Sequence, residues 1–521
     1  MKSNRAPNVV YIYADDLGRG MLSCYGQKLI ETPNIDRIAA EGIRFTNSYG
    51  CVFCAPARAS LLLGRHDCHA GYWSITTAGV YPALSTGEVS YEDLRETINN
   101  TGIQAGEEDV FLPELFKQAG YVTGQVGKLE WGFATTPERI ARHGWDYHYG
   151  YYDHVRCHGF YPPFLFEDGE RIDIPGNTHP DCAKHPQAES PENHAIRWDM
   201  TGKAVYSQDL FDEKVLQFIR DHQDEPFFLY HPSQLPHGPV SISEIAEEVR
   251  DHPELTQFEQ EYASMILRLD RTVGLILDEL DALGLADNTM VCFSSDNGHQ
   301  VYCQQPGRTG GVAQTADGSR IDNVTTKFYS ALCGDVFDGN DGMAGLKTTN
   351  WEGGARIPFL IRWPGIVEPG AVSDHMFANY DLFATFAEML RASVPTEKDS
   401  VSLLPTIEGR TADQDQHGYV VYSSFTHGPS LVNQDGWKLR RINHLDLFQL
   451  YYLPDDYREE CDLAGEHPER VRELAAKMLE ACDGDYGNGH IGSHRVEYTD
   501  EAVLAFLEQS RREVIAGRTG R

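Results

Sequence analysis

No run of this 521-residue chain is both long enough and apolar enough to span a bilayer. There is no internal repeat and no low-complexity tract. Basic residues are scarce: 44 Lys and Arg stand against 78 Asp and Glu, for a formal net charge of −34. That deficit argues against nucleic acid or an anionic membrane as partner. It also means that an anionic substrate must be drawn in by local positive charge, against the field of the whole protein. The eleven cysteines are odd in number and scattered, unlike a disulfide framework. No secretory leader is visible in Met1-Lys2-Ser3-Asn4-Arg5-Ala6-Pro7. A cytoplasmic protein with reduced thiols is expected; an exported protein lacking its leader in this sequence is the alternative.

Hydrophobic residues make up 41% of the chain, ample for a large interior. The length predicts one large domain, 1–412, and a smaller one, 413–521. Val9 to Tyr13 is a nearly continuous apolar run, as in a buried central strand, and ends at Asp15-Asp16. A helix is expected from Thr32-Pro33 to Ala40, another over Val110–Ala119 and a long one over Phe258–Leu283. Strands are expected at Val122–Val126, Pro226–Tyr230 and Thr289–Ser294. This alternation predicts an α/β fold, a large, mostly parallel sheet sandwiched by helices. Ligands of such sheets gather beyond the carboxyl ends of the strands. Asp15, Lys128, His231 to His237 and Asp296 all fall there. Gln304–Met343 reads as a long excursion bordering the site, and Ala412–His417 as a linker. Beyond it, strands at Tyr419–Tyr422 and Trp437–Ile442 and helices near Pro468–Ala481 and Asp500–Ile515 suggest a small α+β unit with a short antiparallel sheet.

The segment Cys54-Ala55-Pro56-Ala57-Arg58-Ala59-Ser60-Leu61-Leu62-Leu63-Gly64-Arg65 is the most informative. Pro56 suits the first turn of a helix and Gly64 its end. Cys54 then sits at a helix N-terminus, where free N–H groups favour an anion, and Arg58 follows one turn later. Taken alone, the pattern also suits an ordinary, partly buried thiol. The acidic pair Asp15-Asp16 and the Asp296-Asn297-Gly298 turn, at two strand ends, offer hard oxygen ligands for Ca²⁺ or Mg²⁺. Cys51-Val52-Phe53-Cys54 has the spacing of a redox pair or half a zinc site, but no second such pair exists.

Cys-x-Pro-x-Arg followed by Leu-x-Gly-Arg resembles the signature of the type I sulfatases, of the alkaline phosphatase-like superfamily. That resemblance extends from about Asn8 to Ala464. It includes His143-Gly144-Trp145-Asp146, Trp351-Glu352-Gly353-Gly354-Ala355-Arg356-Ile357-Pro358, Trp363-Pro364-Gly365, Ser402-Leu403-Leu404-Pro405 and Leu450-Tyr451 through Ala464. It implies hydrolysis of sulfate esters, with Cys54 converted to formylglycine by a maturation enzyme and Arg58 holding the hydrate. It further implies one divalent cation, calcium rather than magnesium, on Asp15, Asp16, Asp296, Asn297 and residue 54. Lys128 and Lys347 would contact the sulfate, and His237 would lie near the leaving oxygen. In Gly127-Lys128-Leu129-Glu130-Trp131-Gly132, Glu130 replaces the family's histidine. It is expected either to act as base or, as we favour, to face the substrate cleft while His299 or His66 takes over.

Two rivals stay open: a phosphonate or phosphate ester hydrolase of the same fold, and a silent binder of sulfated ligands. The first is disfavoured because its relatives tend to carry Asp-His where this chain has Asp296-Asn297. A sulfated carbohydrate is the expected substrate. The loop rich in Tyr and His from Asp146 to Phe160 is either a wall of its cleft or a packed surface loop.

Overall fold

The computed structural model describes residues 5–70, 105–132, 134–154, 156–178, 189–303, 314–395, 397–425 and 427–491, with Glu92 and Arg95. The expected helix over Asp500–Ile515 and the start of the Gln304–Met343 excursion lie outside these residues.

Strands β1 (Asn8–Ala14), β2 (Ile43–Phe45), β3 (Ser48–Tyr49), β4 (Val122–Gly127), β5 (Tyr147–Gly150), β6 (Phe164–Glu167) and β7 (Glu170–Asp173) come first. β8 (Phe227–Pro232), β9 (Thr289–Ser295), β10 (Phe359–Arg362), β11 (Ala371–Ser373) and β12 (Phe377–Ala378) follow. Ten of these form one sheet in the order β11-β2-β10-β9-β1-β8-β4-β5-β6-β7, while β3 and β12 pair separately. Its centre, β9-β1-β8-β4-β5, is parallel, and antiparallel pairing begins on either side with β10 and β6.

β1 is buried along its whole length, as its unbroken apolar sequence predicts. Val9, Tyr11 and Tyr13 face one core, against the helices Cys54–Leu63, Leu112–Gln118 and Asp381–Leu390. Val10, Ile12 and Ala14 face the other, against Pro33–Ala40, Ser207–Asp221 and Gln257–Ala282. The last helix begins in a capping box: the Thr256 side chain accepts from the Glu259 N–H while Glu259 accepts from the Thr256 N–H.

A second sheet, β13 (Tyr419–Tyr422), β14 (Ser430–Asn433), β15 (Trp437–Ile442) and β16 (Leu447–Tyr452), is antiparallel in sequential order. The helix Pro468–Ala481 packs on it through Leu474 and Met478. Among the described residues, no helix is long and apolar enough to cross a membrane, and the ten cysteines there are free.

Candidate active site

Parallel strands place their carboxyl ends on one edge of the sheet, and four of them deliver the site. Asp15 and Asp16 follow β1, Lys128 follows β4, His237 comes five residues after β8, and Asp296 and Asn297 follow β9. Gly127 turns the chain at the end of β4 with φ +137°, and a Cβ there would meet the Pro232 carbonyl at 2.4 Å. The helix Cys54–Leu63 points its N-terminus at this edge. Phe53 is extended at its N-cap, Cys54 is the first helical residue, and Gly64 ends it at φ +67°. All ten of its residues are buried.

Three carboxylates and three cations meet here without solvent. Lys128 Nζ donates to Asp15. Lys347 Nζ lies 2.6 Å from Asp16 Oδ1, and Arg58 Nη2 is 2.9 Å from Asp296 Oδ2 and 3.8 Å from Asp15 Oδ1. Asp16 N–H donates to Asp296 Oδ1 at 3.0 Å, and Asn297 Nδ2 donates to Asp16 Oδ1 at 2.8 Å. Burial raises the pKa of each carboxyl. At Asp15 the Lys128 ammonium overcomes this and brings it down to about 2. At Asp296, burial and the charge of Asp15 win over Arg58, and the carboxyl is pushed up to about 7. Asp296 is thus the carboxylate that the resident cations stabilise least.

Two buried oxygens, Asp15 Oδ1 and Asn297 Oδ1, receive no hydrogen bond, a costly state for oxygens away from water. Asp15, Asp296 and Cys54 present ligand atoms within 4.8 Å of one another. Orphaned hard oxygens in a carboxylate cluster fit a divalent cation such as calcium. The Arg58 guanidinium also interacts with the Tyr230 hydroxyl.

The imidazoles gather on the nucleophile's other side. His154 Nε2 lies 3.5 Å from Cys54 Sγ, and Lys347 Nζ is 3.9 Å from the same sulfur. His158 Nε2 lies 3.2 Å from Lys128 Nζ, and its ring is 3.8 Å from that of His237. His237 Nδ1 donates to the Gly238 carbonyl at 2.6 Å, which turns Nε2 toward Lys347 at 3.2 Å. Burial pushes the Cys54 thiol up, and the two lysines offset this only in part. An unmodified Cys54 is therefore a protonated thiol, poorly suited to attack.

Sequence reasoning missed His154, His158 and Tyr302, whose hydroxyl donates to Asp16. The i, i+4 spacing of His154 and His158 beside Asp153 was the available signal. Tyr151, Tyr152 and Phe160 of the same loop are buried in the two cores. The loop is thus packed, and it enters the site through its histidines rather than its aromatic rings.

Three expectations are corrected. Glu130 does not face a substrate cleft. Its oxygens are taken by His143 Nδ1 at 2.8 Å, Trp145 Nε1 at 2.9 Å and Thr135 Oγ1 at 3.2 Å. His143 and hydrogen bonding hold it ionised in spite of burial. His299 is fully buried. Gly339 closes over its ring so tightly that a Cβ there would meet it at 2.4 Å, and a Cβ on Gly18 would meet its own Cβ at 2.4 Å, so it is not placed to touch substrate. His66 stacks on His69 at 4.0 Å, its Nε2 3.7 Å from Asp399, in a separate cluster.

A doubly flanked α/β sheet whose strand ends carry a cation-ready acidic cluster and two lysines, facing a helix that begins at Cys54, defines a hydrolase of anionic esters. The sulfatase family's profile matches residues 7–392, and that described as "N-sulphoglucosamine sulphohydrolase, C-terminal" matches 346–483. The N-acetylgalactosamine-6-O-sulfatase of Bacteroides thetaiotaomicron is 29% identical over 92% of this chain and 94% of that protein. Human N-acetylgalactosamine-6-sulfatase is 33% identical over 78% and 67%, respectively. A solved structure from work on the metabolism of multiple glycosaminoglycans by B. thetaiotaomicron superposes with a TM-score of 0.67 at 25% identity, covering 92% of this chain and all of the other. The chain belongs to the sulfatase family and is a sulfuric ester hydrolase.

Proposed function

We propose that this chain hydrolyses the sulfate ester of a sulfated carbohydrate. In this reading Cys54 is converted to formylglycine by a maturation enzyme, and Ca²⁺ is held by Asp15, Asp16, Asp296, Asn297 and residue 54. The pair of orphaned oxygens beside the N-terminus of the Cys54 helix carries the reading. The modified residue supplies a hydroxyl nucleophile, and the cation supplies the charge that acidifies it and neutralises the sulfate oxygens. The names of its relatives support 6-sulfated N-acetylgalactosamine as the first substrate to try.

The protein's own groups divide the remaining work. Without a cation, the three carboxylates and three bases of the cluster sum to zero charge. Two added positive charges make the pocket locally cationic, which answers the repulsion expected from a net charge of −34. Lys128 and Lys347 are placed to bind the ester's outer oxygens. Lys347 and His237 Nε2 share a proton at 3.2 Å, and this pair can protonate the departing alcohol. Arg58, one turn along the same helix, is placed to hold the side chain of residue 54, and His154 steadies it from the other side. Neither Glu130 nor His299 has a part in binding substrate.

The 413–521 portion reads as a smaller domain, built on the sheet β13 to β16. The free thiols support a reducing compartment. The same fold could serve a phosphate or phosphonate ester hydrolase, but the carboxamide of Asn297 is a weak ligand for a second, softer metal, which favours the sulfatase. Parallel assays of aryl sulfate and aryl phosphate esters separate the two. Mass spectrometry of the Cys54 peptide from the native host tests the modification. Free thiol alone, or phosphatase activity exceeding sulfatase activity, would sink the reading.

A further inference from the structure

Phe425 is 38% exposed, the only aromatic among the strongly exposed large apolar side chains of the described residues. It belongs to the connection between β13 and β14, in the C-terminal sheet. Two backbone hydrogen bonds pin it. Its N–H donates to the Thr348 carbonyl at 2.9 Å, next to Lys347, and its carbonyl accepts from His490 Nε2 at 2.9 Å. Its ring lies 5.9 Å from that of Phe53, the residue preceding Cys54. Phe53 in turn sits 5.3 Å from Lys347 Nζ and 6.1 Å from the His154 ring. Those two groups are the ones that approach Cys54 Sγ.

An apolar ring held in water by backbone contacts, one ring's width outside a catalytic centre, is placed for a ligand. We propose that Phe425, backed by Phe53, is a platform for the sugar ring that carries the sulfate. A pyranose presents C–H bonds on one face, and the electron-rich face of an aromatic ring attracts them. The segment that brings Phe425 to the rim comes from the C-terminal sheet, so that sheet contributes to substrate recognition as well as to stability. This rests on the carbohydrate reading above. Of the two readings of the Asp146–Phe160 loop, a cleft wall or a packed loop, the burial of Tyr151, Tyr152 and Phe160 favours the second.

The test compares wild type, Phe425→Ala and Phe425→Trp by two measurements. Saturation-transfer NMR with N-acetylgalactosamine reads contact with the neutral sugar and needs no turnover. Transfer to the sugar's ring protons is expected for wild type and Phe425→Trp and is lost in Phe425→Ala. With N-acetylgalactosamine 6-sulfate, Phe425→Ala is expected to raise KM about three- to tenfold, with the loss falling on KM rather than kcat and Phe425→Trp restoring it. Equal sugar contact and KM in wild type and Phe425→Ala would overturn the proposal, as would no sugar contact by wild type. Contact that depends on Phe425 in a protein that hydrolyses no sulfate ester would sink the sulfatase reading and leave the platform standing. Because Phe425 is exposed, both variants are expected to fold, which matching melting temperatures verify.

Discussion

Two buried charge clusters in this protein have equal numbers of acids and bases and opposite uses. One is the site, with Asp15, Asp16 and Asp296 against Lys128, Lys347 and Arg58. The other joins the two sheets, with Glu352 and Glu459 against Arg356 and Lys438. In the second, Glu352 accepts from Arg356 at 2.6 Å and from Tyr49 and Tyr422 at 2.9 and 3.1 Å. Lys438 Nζ sits 3.0 Å from Glu352 and 2.7 Å from Glu459. Despite burial, Lys438 and Arg356 bring the Glu352 carboxyl down to about 2. Glu459 Oε1 and Lys438 Nζ make no regular hydrogen bond, but they face each other as opposite charges 2.7 Å apart, and burial raises the Glu459 carboxyl. The bare oxygens of the site, Asp15 Oδ1 and Asn297 Oδ1, meet no such charge at close range, and its Asp296 carboxyl is pushed up to about 7. A cluster whose bare atoms meet opposite charges holds two parts together; one whose bare oxygens do not holds a place for a cation.

The comparison breaks if the two clusters respond alike to loss of a charge. Glu352→Gln leaves Lys438 and Arg356 short of a buried counter-charge and is expected to cost about 3–5 kcal/mol in denaturant unfolding. Asp296→Asn removes the carboxyl that the site stabilises least. It is expected to leave the calcium-free protein as stable as wild type or more so, while lowering calcium affinity and cutting sulfatase activity about a hundredfold or more. Unchanged metal content and activity in Asp296→Asn would remove calcium from this place.

Within the site, His154 approaches the nucleophile and Glu130 does not, and this difference can be sharpened. His154→Ala is expected to lower kcat about a hundredfold with KM nearly unchanged, because the contact is with the reacting side chain. His154→Gln, which keeps a hydrogen-bonding group there, is expected to recover part of the loss. Glu130→Gln is expected to act on stability instead, costing about 1–3 kcal/mol as His143 loses its charged partner. A hundredfold fall in kcat with no change in melting temperature would return Glu130 to the chemistry.

What could be read from sequence follows from which forces are local. β1, the helix Gln257–Ala282 and the strand ends bearing Asp15, Lys128 and Asp296 were legible because periodicity and the parallel-sheet rule act on adjacent residues. β14 and β16 were not, although they are as long as the legible β13 and β15, because both are formed by pairing with β15. β10 was hidden behind Pro358. Glu130 was misread because a single residue, Leu129, separates it from Lys128, yet its side chain turns to His143 and Trp145. The His143-Gly144-Trp145-Asp146 motif, read as a mark of the fold, is what holds it. His154 escaped notice because a turn delivers it, and turns carry no period.

The smallest expected effect concerns a buried group with no counter-charge in contact, the opposite of both clusters. His148, in β5, is fully buried, and neither ring nitrogen has a hydrogen-bond partner. Its ring faces Tyr152 at 5.0 Å, and its N–H donates to Asp168. Burial disfavours the imidazolium and brings its pKa down to about 4, although the charge of Glu130 opposes this. An unfolded histidine titrates near about 6.5. Between these values the unfolded chain binds the proton and the folded one does not, so stability falls as pH drops from about 6.5 to about 4. At pH 5 the loss due to His148 is about 2 kcal/mol. His66, also brought down to about 4 by burial, adds to it, whereas Asp270, raised to about 6 by burial, opposes it. The depressed carboxyls Asp15 and Glu352, at about 2, act only at lower pH. His148→Leu is therefore expected to flatten the decline in melting temperature between pH 7 and pH 5, leaving the part due to His66. An identical decline in the variant would mean that His148 is protonated in the folded protein and held by Glu130.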